Sequence, residues 1–155
     1  LSNQIYRGSP ANVDVTLALG NSGALQIELI YQNNDEPSVY REFLDAGREG
    51  VHHFGMMPVD YAATCAHYRS LGHEAAFICD IGGAELTYFD TVSAVGHFIE
   101  LSTRIFFRWS KTPRSVGTAT IRSDPVRCSP RPVCCCSLRP RVPARFGRGQ
   151  SGSSS

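Results

Sequence analysis

GVHHFGMMPVDYAATCAHYRSLGHEAAFICDIGGAELTYFDTVSAVGHFIELS, residues 50–102, decides the fold. Val51 to Met57 reads as a strand, and Asp60 is placed to cap a helix that runs through Leu71. That helix carries Tyr61, Cys65 and Tyr68 near one stripe and has Gly72 just past its end. Three more strands are expected near 74–80, 84–90 and 95–103, with Gly82-Gly83 turning the first into the second. The order is β-α-β-β-β.

Toward the N-terminus, residues 37–46 (PSVYREFLDA) fit a short helix starting at Pro37 or Ser38 and stopped by Gly47. Before it, Val13, Val15, Leu17 and Leu19 alternate with Asp14, Thr16 and Ala18, a period of two that marks a strand. Gly20-Asn21-Ser22-Gly23 turns the chain into a second strand at 24–31. There Leu25, Ile27, Leu29 and Tyr31 share one face, expected to be the packed one, and Gln26, Glu28 and Ile30 share the other. This hairpin fits the last two strands of an earlier copy of the β-α-β-β-β unit.

Toward the C-terminus the composition changes. Residues 1–104 hold five Arg, no Lys and thirteen carboxylates, a net charge of −8, and all five His. Residues 105–155 hold nine Arg, Lys111 and a single carboxylate, a net charge of +9, with four of the six Cys. The second part shows no period and few large apolar residues, so it cannot bury enough surface to offset its ordering entropy. Disorder is the expectation there, and the Arg, Pro, Ser and Cys mixture is also what GC-rich coding sequence yields in the wrong frame. Cys128, Cys134, Cys135 and Cys136 lack the paired spacing and neighbouring His of a zinc site. No aromatic residues interleave with the basic run, and no apolar anchor accompanies it, so nucleic-acid and membrane partners are not expected.

Other chemistries are excluded by what is missing. No apolar run approaches a membrane span, no leader opens the chain at Leu1, and the expected location is the cytoplasm. No G-x-S-x-G, phosphate loop or dinucleotide fingerprint occurs. Cys65 and Cys79 read as small buried hydrophobes rather than nucleophiles. What remains is polar residues on strands. Glu28 lies on the polar face of its strand, and Glu100 lies opposite Ile99 and Leu101, sharing a face with Phe98 and Ser102. His52 and His53 are adjacent on a strand and should point to opposite faces, so one alone can enter a cleft. Imidazole and carboxylate together suit zinc, nickel, cobalt, manganese or iron.

Three segments carry a resemblance: GALQIELIYQ at 23–32, GVHHFGMMPVDYAATCAHYRSLGHEAAF at 50–77, and GHFIELS at 96–102. Over residues 12–104 the chain resembles the vicinal oxygen chelate superfamily of glyoxalase I, methylmalonyl-CoA epimerases, extradiol dioxygenases and bleomycin-resistance proteins. The resemblance implies an α+β fold of paired βαβββ units whose curved sheets enclose a cleft. Residues 1–35 are then the remnant of an incomplete first unit, 36–50 a linking helix, and 51–104 the second unit. It also implies a divalent metal held by Glu28, His53 and Glu100, with Glu28 and Glu100 as catalytic carboxylates. The fourth ligand of the family, a His on the very first strand, has no counterpart, as if the chain began after that strand and its helix. Such a loss should leave a sheet edge open and the chain poorly active.

The same resemblance selects His53 over His52, which should lie on the side of Phe54 and Met56, and turns His97 away from the metal. His67 and His73 are expected on a helix surface and in a turn, and Asp14 is an outside candidate for acid–base work. The implied function is a metal-dependent isomerase, lyase or epimerase that stabilises an enediolate or enolate. Its substrate would be a 2-oxo thiohemiacetal or acyl-CoA, and the assembly a homodimer. The alternatives are a binding module that sequesters a small molecule, and an iron-dependent ring-cleaving dioxygenase.

Overall fold

The computed structural model describes residues 1–22 and 25–103, and the backbone of 133–138. The strands are β1 (Ser2–Tyr6), β2 (Ser9–Pro10), β3 (Val15–Ser22), β4 (Leu25–Gln32), β5 (Val51–Met56), β6 (Ala75–Ile81), β7 (Ala84–Phe89), β8 (Phe98–Ser102) and β9 (Val133–Leu138). The helices are α1 (Val39–Asp45), α2 (Tyr61–Ser70) and α3 (Val92–Val95). All nine strands form one mixed sheet in the order β2-β1-β6-β7-β8-β5-β9-β4-β3. The architecture is α+β, and β5-α2-β6-β7-β8 is the βαβββ unit read from the sequence, with β5 and β8 parallel.

Local chemistry sets the boundaries. The Ser38 hydroxyl accepts from the Arg41 N–H at the start of α1, and the Asp60 carboxylate accepts from the Ala63 N–H at the start of α2. Gly82 and Gly83, at φ 55° and 77°, supply the two left-handed residues of a tight turn between β6 and β7. The last strand of that unit, β8, begins at Phe98, later than the pattern suggested, because 92–95 turn helical and end on Gly96 at φ 85°.

The two faces of the sheet bury different sets. Phe89 and Leu101 pack with Cys65 of α2, joined by Met56, Tyr61 and Tyr68. The opposite face gathers Val15, Leu17 and Ile30 of the hairpin with Phe77, Tyr88 and Phe98 of the second unit and Val39 and Tyr40 of α1. Here the hairpin differs from its reading. Leu29 is 42% exposed while Ile30 is 1% exposed. The register explains this: Leu17 stands across from Ile30 and Leu19 across from Glu28, so the core side of β3 continues into the Glu28 side of β4. Glu28 therefore lies on the core-facing side of the hairpin.

Two features lie outside the sequence pattern. Residues 1–10 form the β1–β2 hairpin, which adds to the β6 edge. Arg7 in its turn pairs with Glu42, Glu74 and Asp90, tying that hairpin to α1 and to the open end of the β6–β7 pair, where Glu74 and Asp90 lie side by side. Within the basic part, 133–138 form β9, antiparallel to β4 and parallel to β5. The edges of β4 and β5 that face each other are thus both paired to it, in place of an open edge. The remainder of 105–155, for which disorder was expected, lies outside the described residues. Among the described residues no helix is long and apolar enough to cross a membrane.

Candidate metal centre

Glu28 of β4, His53 of β5 and Glu100 of β8 converge on one side of the sheet. One ligand atom from each lies within 4.8 Å of the others. His53 Nε2 is 2.9 Å from Glu100 Oε2 and 3.7 Å from Glu28 Oε2. The placement follows from pairing: His53 stands beside Phe98 and Gly55 beside Glu100, which makes His53 and Glu100 diagonal neighbours on one face. β9 separates β4 from β5, and Cys135 of β9 is the register partner of Glu28.

Residues 2–84, more than half of the chain, match a family model described as the Glyoxalase/Bleomycin resistance protein/Dioxygenase superfamily. The chain belongs to this superfamily. The match takes in two of the three converging residues, Glu28 and His53, and ends before Glu100. No curated protein matches the chain.

The donor set of this glyoxalase-superfamily chain fits a divalent cation. Ligands about 2.1 Å from an ion, at angles between square and tetrahedral, lie about 3.0–3.5 Å apart. The separations of 2.9 and 3.7 Å around His53 Nε2 bracket that range. One imidazole and two carboxylates are the donors that zinc, nickel, cobalt, manganese and iron accept.

The electrostatics differ between the two carboxyls. Burial dominates at Glu28 and, with the nearby Glu100 charge, raises its pKa against the pull of His53. Burial opposes ionisation at Glu100 too, yet His53 and a hydrogen bond from Tyr88 outweigh it and hold that carboxyl below its ordinary value. Tyr88 is the register partner of Glu100, sets its ring edge-to-face on His53 at 4.8 Å, and accepts a 3.1 Å hydrogen bond from the Tyr40 hydroxyl. Neither tyrosine was singled out from sequence, although laying β7 against β8 in antiparallel register would have put Tyr88 beside Glu100.

His52 corrects the alternation reading. It does not lie on the side of Phe54 and Met56: its ring is fully buried against Tyr40 and Phe98 on the core side, and its Nδ1 is 3.0 Å from His53 Nδ1. The β5–β9 register shifts between Val51 and Phe54, and a bulge there turns two neighbouring side chains to one side. The other candidates stay away. His97 stacks edge-on against Phe54, His67 is exposed on α2, and His73 Nδ1 lies 3.1 Å from the Asp90 carbonyl. The Asp14 carboxylate accepts from Asn33 at 3.2 Å and is not part of the three-residue cluster. Burial pushes the Cys79 thiol up to about 12 and raises that of Cys65, the opposite of activation.

Proposed function

We propose that the chain is a metal-dependent isomerase, lyase or epimerase that removes and returns a proton beside a carbonyl, with Glu28, His53 and Glu100 as the metal ligands. The observation that carries this reading is the fully buried His53 imidazole set 2.9 Å from one carboxylate and 3.7 Å from another. A divalent cation bound there supplies Lewis-acid stabilisation for negative charge on adjacent substrate oxygens.

The residues divide the remaining work. Glu100, held ionised, and His53 through Nε2 offer fixed donors. Glu28 has the raised pKa and, at 15% side-chain exposure, is slightly more open than Glu100 at 9%, so it is the carboxyl assigned to carry the proton. The ring of Tyr88 closes one side of His53 and excludes water from it. Two carboxylates with one imidazole speak against the ring-cleaving reading, since non-haem iron oxygenases use two imidazoles and one carboxylate. The substrates this reading assigns are 2-oxo thiohemiacetals and acyl-CoA thioesters, and a homodimer is the expected assembly.

The test is metal content of the purified chain together with exchange of the substrate α-hydrogen in deuterated water. Stoichiometric divalent metal and exchange lost in Glu28→Gln support the reading. Metal-free protein that still binds a small molecule, unchanged in Glu28→Ala and His53→Ala, establishes the sequestering module instead.

A further inference from the structure

His52 is a fully buried imidazole to which the proposed chemistry gives no task. Its two nitrogens are both engaged. Nε2 lies 3.0 Å from the Val39 carbonyl oxygen, and Nδ1 lies 3.0 Å from His53 Nδ1. A neutral imidazole carries one N–H and one bare nitrogen. The carbonyl can only accept, so Nε2 of His52 holds its proton and donates. Nδ1 of His52 is then bare and accepts, and two bare nitrogens would not meet at hydrogen-bond distance, so His53 Nδ1 is the donor. By the same rule a proton lies between Nε2 and the Glu100 carboxylate oxygen 2.9 Å away while the site is metal-free, and with Nδ1 already donating, a cation that replaces this proton meets the Nε2 lone pair between Glu28 and Glu100.

We propose that His52 is a positioning residue that locks His53 in the tautomer presenting its Nε2 lone pair to a cation. The relay runs from the Val39 carbonyl through His52 to His53. The inference rests on the metal-site reading above. Metal-bound histidines commonly donate their second N–H to a carboxylate or a carbonyl, which fixes the ring and raises its basicity. Here a second imidazole stands between ligand and carbonyl and anchors the ligand to the first turn of α1. Rotation of the His52 ring is blocked by Tyr40, Phe43 and Phe98, whose ring centroids lie 5.1–5.2 Å away. The arrangement needs both side chains on one side of β5, which the bulge between Val51 and Phe54 provides.

The experiment uses the full chain labelled with 15N-histidine, read by long-range proton–nitrogen correlation with and without Zn2+, together with Zn2+ affinity by chelator competition. The expected spectrum shows His53 protonated at Nδ1 with zinc bound. His52→Leu should lower Zn2+ affinity about 10–100-fold. His52→Asn, whose amide oxygen restores an acceptor where Nδ1 stood, should recover most of it. A His53 protonated at Nε2 and bare at Nδ1 overturns the proposal, as does a folded His52→Leu variant that binds Zn2+ within twofold of the parent. If the parent takes up no Zn2+, the metal reading fails by itself, and the metal-free spectrum still decides whether His53 donates through Nδ1 to His52.

Discussion

Glu100 and Glu28 are the same residue type placed by two different regions. Glu100 and His53 belong to one contiguous βαβββ unit, where β5 and β8 pair directly and the α2 crossover covers their outer face. Glu28 comes from the β3–β4 hairpin, which reaches β5 only by way of β9 and meets the unit through the face contacts of Leu17 and Ile30. The contrast appears in their chemistry: Glu100 has His53 as a close partner and is held ionised, whereas burial dominates at Glu28 and favours its neutral form. A three-residue site is thus half local and half assembled, and the two halves should fail under different insults.

The largest expected effect lies in the local half. Burial, aided by the neighbouring His53, lowers the His52 pKa to about 3 from an ordinary value of 6.5. A depressed pKa means that the folded state gives up its proton before the unfolded one, so the resulting stability is complete above 6.5. It is lost progressively as pH falls from there toward 3. At about 1.4 kcal/mol per unit the full loss is on the order of 5 kcal/mol. Urea midpoints between pH 7 and 4 should fall steeply in the parent and distinctly less in His52→Leu. Parallel curves for the two proteins would show that this histidine is not what makes the unit acid-sensitive.

A proline in β9 attacks the assembled half. Cys135 stands opposite Glu28 in a central strand, where proline removes a ladder hydrogen bond and distorts the backbone. Cys135→Pro should cost about 3 kcal/mol of stability and reduce metal affinity to that of Glu28→Ala. Cys135→Val, which keeps the backbone N–H, should leave the melting temperature near that of the parent. Equal behaviour of the two variants would mean that the hairpin holds Glu28 without help from β9.

What could be read in advance also divides along this line. The βαβββ order, the Asp60 cap, a helix start at Pro37 or Ser38 and the Gly82-Gly83 turn are local signals, and the structure repeats them within a few residues, with Ser38 as the cap. The facing of Glu100 followed from simple alternation with Ile99 and Leu101. His53 is different: its choice over His52 came from family resemblance, because alternation assumes an unbroken ladder. The bulge that defeats alternation is set by pairing with β9, some eighty residues away in sequence. The inward turn of Ile30 and Glu28 likewise depends on which face of β3 meets the core, a long-range fact that the apolar count on β4 misjudged. Neither β1 nor β9 has a period of its own strong enough to announce a strand, since each is ordered by its neighbours.

The two carboxyls should respond oppositely to the same substitution. In metal-free protein Glu100→Gln removes the partner that the buried His53 relies on, at a cost of about 1–3 kcal/mol. Glu28→Gln removes a charge that burial disfavours, so stability should hold or rise by up to about 1 kcal/mol. The pH curves carry the signs. Stability from Glu100, whose pKa is depressed, is present above the ordinary carboxylate value and lost as pH falls through the folded one. The raised Glu28 works in reverse, contributing below the ordinary value and losing that contribution as pH rises through the folded one. Matching losses in both variants would erase the distinction between the regions.

The smallest effect compares the two helix caps. Asp60 starts α2 inside the local unit, at the surface, through one bond to the Ala63 N–H. Ser38 starts α1 from a buried position, and its hydroxyl also donates 2.6 Å to Gln32 at the end of β4. Replacing either by Ala removes a cap worth about 1 kcal/mol. Ser38→Ala should cost more, toward 2 kcal/mol, because it also strands the half-buried Gln32 acceptor and loosens the joint between the hairpin and the helix that carries Val39. Since the Val39 carbonyl receives the His52 proton, Ser38→Ala should weaken metal affinity slightly while Asp60→Ala leaves it unchanged. Thermal melts and Zn2+ competition on the two variants measure both quantities. An Asp60→Ala loss as large as that of Ser38→Ala in both would show that the joint between the regions adds nothing to an ordinary helix cap.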